Sequence, residues 1–413
     1  MTEEPISRDL ALERVRHHIR THFPGMEHVS VTDALGRICA QDLFAAHSTP
    51  ATAKSSVDGY ALLAANTAEA SEETPITLRV EGEVRPSTSA PKALVPGTAC
   101  TILTGGTLPQ GADAVVPFEE TVIAEGTITM AQPVKKHMHV RAVGSDLKVG
   151  TRVLRRGEDC TPTALACLAV SGVLQVPVCL PPRALVLAVG NELSALDAQP
   201  KPGQMPADNL LLAAGLLRQR GVADTQAKVS VNSLHDVAEA LKNAGEVECI
   251  VTTGGTGPGQ RDFMLQAVQD AGFTPLFQGI KLHPGKSVFA ATRGRTLLFA
   301  LPGTPWAVFA LMHALVLPAA CWLRGRSLPV PMPVLARPLF MPPPAPQGWE
   351  KLTACTINGL RAELLVTPLL DRSRESRLDM LEAQGLLLVP SHVESGDLLP
   401  MIPIWEHRRG HRP

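Results

Sequence analysis

The apolar positions of this chain fall in short runs, and the spacing of those runs changes along its length. Near the N-terminus the spacing is helical. Leu10, Ala11, Val15 and Ile19 share a face over residues 5–22, with Ser7 placed to cap. Residues 31–45, VTDALGRICAQDLFA, read as a short helix followed by a strand. Between 75 and 140, β-type runs at 76–80, 99–103, 114–118 and 127–130 alternate with Gly and Pro turns, which predicts a compact β-rich domain. His137 and His139 alternate on a predicted strand there, so both would face one side; two ligands without a third make a weak metal site. Residues 147–180 read as strand, turn, helix and strand, with Thr161 and Pro162 as N-cap and first helical residue. The β-rich part, 44–146, is thereby an insertion within a first domain.

From Arg183 the pattern changes to alternating strands and helices. A strand at 184–188 is followed by a helix capped by Asp208 or Asn209, with Leu210, Ala213, Ala214 and Leu217 on one face and Gly221 at its end. A strand at 227–231 and a helix at 234–242 follow. Such alternation predicts a parallel sheet covered on both faces, with ligands at the carboxyl ends of its strands. The longest apolar run, 307–323, contains His313 and Pro318 and reads as a buried helix rather than a membrane span. A proline-rich stretch at 329–346 reads as a linker. The short strands expected after it, at 360–366, 386–390 and 397–402, suit a small β-barrel. The fold class expected is therefore multidomain α/β and β.

Composition narrows the function. The formal charge is −1, so no global field recruits nucleic acid or an anionic membrane. No basic–aromatic interleaving suggests a base-stacking surface. The eight cysteines are scattered without a CxxC and mostly sit in apolar runs, as expected of reduced core residues. With a polar N-terminal stretch, the expectation is a cytoplasmic protein.

The candidate chemistry centres on residues 250–262, IVTTGGTGPGQRD. A β-branched run opens into Thr253, Gly254, Gly255 and further glycines, and a helical pattern follows Asp262. A strand feeding a glycine-rich turn that starts a helix offers bare N–H groups to an anion. Equally, it reads as a tight turn with Asp262 as a helix cap; in the functional reading Asp262 holds a divalent cation. Glu192 follows a strand on the same predicted edge. The Gly-Lys-Ser at 285–287 does not make a phosphate-binding P-loop. Five residues, rather than four, separate Gly279 from Gly285, and a strand rather than a helix follows.

TTGGTGxGxRD resembles the signature loop of the molybdopterin-binding domain shared by the MoeA and MogA families. Other stretches resemble MoeA sequences in the same order. SSVDGYA at 55–61 is similar to the family's SxMDGYA. TILTGGTLPQGADAVVPFEE at 101–120 is similar to RIMTGAxLPxGADAVVxxED. Arg141, Gly144 and Asp146 match IRxxGEDI, and Glu192 matches STGDEL. Lys286 lies in a turn similar to KPGKP, and Pro302 and Gly303 in one similar to LPGNPVS.

The resemblance implies four domains: a linker domain (1–43 with 147–181), an inserted β-rich domain (44–146), a MogA-like molybdopterin-binding α/β sandwich (182–326) and a C-terminal β-barrel (327–405), with a tail at 406–413. It implies a molybdenumtransferase that inserts molybdate into adenylylated molybdopterin with release of AMP and help from Mg²⁺. Asp262 would hold the metal, and Lys286 and Arg141 would neutralise anions. Asp58, Thr104 and Glu192 would orient the pterin and leaving group. Asp146, Thr253, Gly254, Gly255, Pro302 and Gly303 would complete the pterin site. A homodimer is implied, with a molybdopterin adenylyltransferase and recipient molybdoenzymes as partners, and no nucleic acid or membrane.

The chain also departs from the family pattern. Asn232 and Ser233 stand where the family has an acidic residue, Gly257 replaces a serine, and His283 replaces a lysine. Thr353 and Arg374 are the nearest positions to two molybdate ligands of the family; around Arg374, Arg372 and Arg377 are offset by Asp371, Glu375 and Asp379, which reads rather as a solvated charge run. These departures keep two other readings open: a non-catalytic pterin-binding scaffold, and an adenylyltransferase.

Overall fold

Strands that are apolar at every position need cover on both faces, and both units of the molecule supply it. The computed structural model describes residues 4–22, 24–87, 92–230, 233–256, 261–329, 331–360, 363–370 and 376–404, without the side chains of Arg261, Asp262 and Leu360. The chain divides into two units, His28–Pro177 and Met1–Glu27 with Val178–Pro413.

The unit His28–Pro177 is built on a six-stranded sheet of β1 (Gly59–Leu62), β2 (Ile76–Val84), β3 (Thr98–Ile102), β4 (Ala114–Pro117), β5 (Val122–Ala124) and β6 (Thr127–Met130). The strand order is β4-β1-β3-β2-β6-β5, antiparallel except where β2 lies beside β3. Alternate residues of each strand enter different cores. Tyr60, Leu62, Ala99, Ala114, Val116 and Ile128 pack on one side, and Ala61, Cys100, Ile102 and Val115 on the other. Gly59 is obligatory between its neighbours, because a Cβ there would lie 2.0 Å from the Val116 carbonyl oxygen. Outside the sheet, Arg152–Leu154 pairs with Leu43–Phe44, and helix Pro162–Val170 is capped by Thr161 as expected.

Two sequence expectations fail in this unit. Residues 31–37 form turns rather than a helix. Ser30 Oγ bonds Thr32 Oγ1 at 2.6 Å and Asp33 Oδ2 at 2.8 Å, and Gly36 adopts a φ of +72°, so local side-chain bonds and a left-handed glycine displace helical pairing. His137 and His139 lie in a turn with φ of 67° and 53°, a region His tolerates better than most residues, and do not share a strand face.

The second unit carries another six-stranded sheet: β7 (Arg183–Val189), β8 (Ala223–Ser230), β9 (Cys249–Thr253), β10 (Thr274–Gln278), β11 (Phe289–Arg293) and β12 (Thr296–Leu301). Its order is β8-β7-β9-β12-β11-β10, with the first four strands parallel and β11 antiparallel to both of its neighbours. Helices α1 (Asp208–Gln219) and α4 (Pro305–Leu323) cover one face, packing on Val186, Val251 and Phe299. The N-terminal helix Arg8–Thr21 joins them through Ala11, Val15 and Ile19, whereas Leu10 is exposed. Helices α2 (Leu234–Lys242) and α3 (Arg261–Asp270) cover the other face, on Leu185, Leu187, Ile250 and Leu298. All of α4 but Pro305 and Pro318 is buried, which accounts for its apolar composition as core. Burial pushes the pKa of His313, in the π-turn of that helix, down to about 3, so the imidazole is neutral.

Five strands then close a barrel: Val334–Pro338, Glu350–Leu360, Leu364–Pro368, Gly385–Pro390 and Leu399–Pro403. Cys355, Val366, Leu387 and Met401 fill its interior. The first strand lies inside the stretch expected to be a linker. Its prolines frame Val334, Leu335 and Ala336, whose pairing with Met401, Pro400 and Leu399 leaves proline at the strand ends where no N–H is required.

Phe299 is fully buried at the centre of the second sheet. Replacing it by alanine is expected to cost about 3–5 kcal/mol. A lower urea midpoint for the transition reporting this unit checks that, and an unmoved midpoint contradicts it.

Candidate active site

Register places the expected residues of the α/β unit on one edge. Leu187 pairs with Thr252, Thr252 with Ala300, and Ala300 with Phe289. The loops that follow β7, β9 and β12 therefore emerge together, beside the turn that precedes β11. Glu192, Gly254, Gly255, Pro302, Gly303 and Lys286 belong to those loops, and Thr253 is the last residue of β9. This is the carboxyl edge of a parallel sheet, where α/β folds bind ligands.

Glycine is a steric requirement at its centre. Gly254 has a φ of +90°, and a Cβ there would lie 2.4 Å from the Val189 carbonyl oxygen. A Cβ on Gly303 would come to 3.2 Å from the Gly254 Cα. Gly254 N–H donates to the Leu301 carbonyl at 3.1 Å, tying the turn after β9 to the end of β12. Thr253 is 2% exposed, so its contribution is its place at the strand end. The hydroxyls of Thr252 and Thr256 are buried without a partner among the described residues. Glu192 is exposed, and its carboxylate lies over Gly190, where a Cβ would be 2.6 Å from Oε1. Lys286 is exposed, with no ion pair among the described residues. Asp262 stands in the first turn of α3; its side chain lies outside the described residues. So do Gly257, Asn232, Arg372 and Arg374.

Asp208 and Asn209 do not cap α1 in the expected way. The N-cap is Ala207, with no side-chain bond. Asn209 Nδ2 instead donates to the Gly303 carbonyl at 2.8 Å. Asp208 accepts from Arg377 Nε at 2.9 Å, bringing one arginine of the C-terminal charge run to this helix. Tertiary partners outbid the local cap in both cases. Thr353, the nearest position to a family oxyanion ligand, is 5% exposed and on the same strand face as Cys355, which lines the barrel interior. It does not offer its hydroxyl to an oxyanion in solvent.

The unit His28–Pro177 brings a second group together. Asp58 Oδ1 accepts from Thr104 N at 2.7 Å and from Thr104 Oγ1 at 2.8 Å, although 46 residues separate them. The backbone N–H and then the hydroxyl hold the Asp58 carboxyl below its ordinary range. Lys54 Nζ donates to Gly105 O at 3.0 Å, fastening the loop that presents Thr104. The strand Lys54–Ser55 pairs with Val140–Arg141, and Arg141 forms an ion pair with Asp146. Asp113, in the Ala-Asp-Ala-Val-Val segment, is structural: it accepts from Ala64 N at 2.7 Å. Lys54 and Asn209 are positioning residues to which sequence reading gives no place in the site; it reads Asn209 as a helix cap. Their partners lie 51 and 94 residues away, which no local pattern signals.

Because the Asp58 pKa is depressed, its contribution to stability is present above the unfolded-state pKa and is lost as pH falls through the folded value. Thr104→Val removes the hydroxyl but leaves the N–H. The Asp58 pKa should rise part of the way to an ordinary carboxylate, read by carboxyl-carbon NMR titration; an unshifted value would contradict the contact. Gly254→Ala should lower thermal stability and weaken any anion binding at this edge, measured by melting with and without pyrophosphate.

Comparison with known proteins matches both units. Residues 6–172 match the MoeA N-terminal region (domain I and II), and residues 185–321 match the probable molybdopterin binding domain. The chain is similar to a molybdopterin molybdenumtransferase of Bacillus subtilis, 29% identical over 99% of this chain and 96% of the relative. One of Staphylococcus epidermidis is 29% identical over 80% of this chain and 79% of that relative. Among solved structures, a molybdopterin biosynthesis MoeA protein from Pyrococcus horikosii superposes with a TM-score of 0.83 at 26% identity, over 97% of this chain and all of that one. With its glycine-framed sheet edge and its paired Asp58 and Thr104, the chain belongs to the MoeA family.

Proposed function

We propose that the protein inserts molybdate into adenylylated molybdopterin and releases AMP. The observation that carries this is the convergence of Glu192, Gly254, Gly255, Gly303 and Lys286 on one sheet edge, within a region that matches a molybdopterin-binding domain. The name borne by the relatives, molybdopterin molybdenumtransferase, supports the molybdenum-transfer part of this reading.

The substrate is a pterin with a dithiolene and a phosphate joined to AMP, and the second substrate is an oxyanion. Backbone N–H groups at the turn after β9 and the start of α3 suit the phosphates. Lys286, exposed and without an ion pair among the described residues, supplies positive charge. Arg141 is held by Asp146, which fixes its guanidinium and leaves further N–H donors for an anion. Asp58 and Thr104 form a preset acceptor–donor pair suited to orient a pterin.

Mg²⁺ belongs to the proposal as a phosphate-borne ion. Among the described residues no group of three His, Cys, Asp or Glu stands ready to hold a metal. Magnesium is commonly held by one or two carboxylates together with substrate phosphates, and Glu192 and Asp262 on this edge fit that mode. Bound there, it would stabilise charge on the departing phosphate. The proposal also includes a cytoplasmic homodimer, which sedimentation would test.

The direct test is incubation with adenylylated molybdopterin, Mg²⁺ and molybdate, reading AMP and metal-loaded cofactor. AMP release that requires molybdate supports the transferase. Pterin retention without AMP release would replace it with a binding scaffold, and ATP consumption would indicate adenylyl transfer. Asp262→Asn is expected to lower turnover by at least about tenfold with the melting temperature nearly unchanged; full activity in that variant removes the metal role assigned to Asp262.

A further inference from the structure

The N-terminus of α1 meets the ligand-binding edge through one side chain. Asn209 Nδ2 donates to the Gly303 carbonyl at 2.8 Å, 94 residues away. Gly303 in turn packs on Gly254, at the distance where a Cβ would stand 3.2 Å from the Gly254 Cα. Gly254 is closed from its other side by the Val189 carbonyl, 2.4 Å from where its own Cβ would be. Asn209, Gly303, Gly254 and Val189 are thus consecutive contacts across the ends of three parallel strands. The helix α1 lacks a side-chain N-cap, so Asn209 serves the distant carbonyl rather than its own helix. Asn209 Oδ1 is buried without a partner among the described residues, so the side-chain amide is held by its single donor bond.

We propose that Asn209 is a positioning residue that sets the spacing between the Pro302–Gly303 turn and the Gly254 turn, and with it the geometry of the amides offered to the phosphorylated pterin. The identity of that ligand rests on the function proposed above; the spacing role does not. Loss of the Asn209 donor frees the Gly303 peptide to rotate, and the two turns separate. A single neutral hydrogen bond of this kind corresponds to a change of roughly three- to tenfold in binding.

Asn209→Ala removes the amide, and Asn209→Asp replaces the donor with an acceptor facing the Gly303 carbonyl. Two readouts apply to both variants. Hydrogen exchange is measured on peptides covering 252–256 and 300–304, with peptides from the barrel as an internal reference. Faster exchange confined to the two turns is expected; unchanged exchange there, or equal acceleration everywhere, overturns the inference. Second, KM for adenylylated molybdopterin is expected to rise three- to tenfold with kcat within about twofold, since the contact acts on binding geometry rather than on a reacting atom. An unchanged KM overturns it, as does a fall confined to kcat. If the wild type does not bind the pterin, the proposed function fails, and the exchange measurement still decides the role of Asn209. Should the aspartate variant not fold, Asn209→Ala, which removes the donor without adding a charge, carries the exchange test alone.

Discussion

The candidate site depends on how closely three backbone segments approach at the carboxyl edge of one sheet. The Val189 carbonyl, the Gly254 turn and the Gly303 turn occupy space that a single methyl group would fill. Parallel strands bring their following loops to one edge, but they do not by themselves bring those loops into contact. Glycine permits the contact, and the bonds from Gly254 to Leu301 and from Asn209 to Gly303 hold it. The result is an edge of closely packed backbone with little side-chain bulk, which leaves room for a ligand to approach the main chain.

Two-sided burial makes that rim rigid. Every residue of β9 and of β12 is buried, between α1 and α4 on one face and α2 and α3 on the other. Strand ends anchored in such a core move little, so the loops inherit fixed positions. The same logic operates in the β-rich unit, where alternate residues feed two cores and the Asp58–Thr104 pair sits at adjoining strand ends. There the positioning comes from bonds to main-chain groups, with Lys54 fastening the Thr104 loop through Gly105.

Where sequence reading failed, longer-range partners had replaced local ones. Asp208 and Asn209 carry the chemistry of a helix cap, but Arg377 and Gly303 claim them. The histidines at 137 and 139 have strand-like spacing, yet the chain must turn there to bring Val140 opposite Ser55. Residues 31–37 have helical apolar spacing but too many side chains able to bond their own backbone. The strand Val334–Pro338 was hidden by the prolines that frame it.

Sequence by itself determined the fold class, the alternation that makes the sheet of the second unit mostly parallel, and the glycine-rich turn at its centre. Periodicity and glycine placement are local properties, and a run such as Cys249–Thr253 has few ways to be satisfied other than a buried strand. The ordered motifs also carried the family. Tertiary structure alone decided which polar side chains act on the site. Asn209 meets Gly303 and Asp58 meets Thr104 across long stretches of chain, and hydrogen bonds between residues so far apart are set by packing, which leaves no periodic trace.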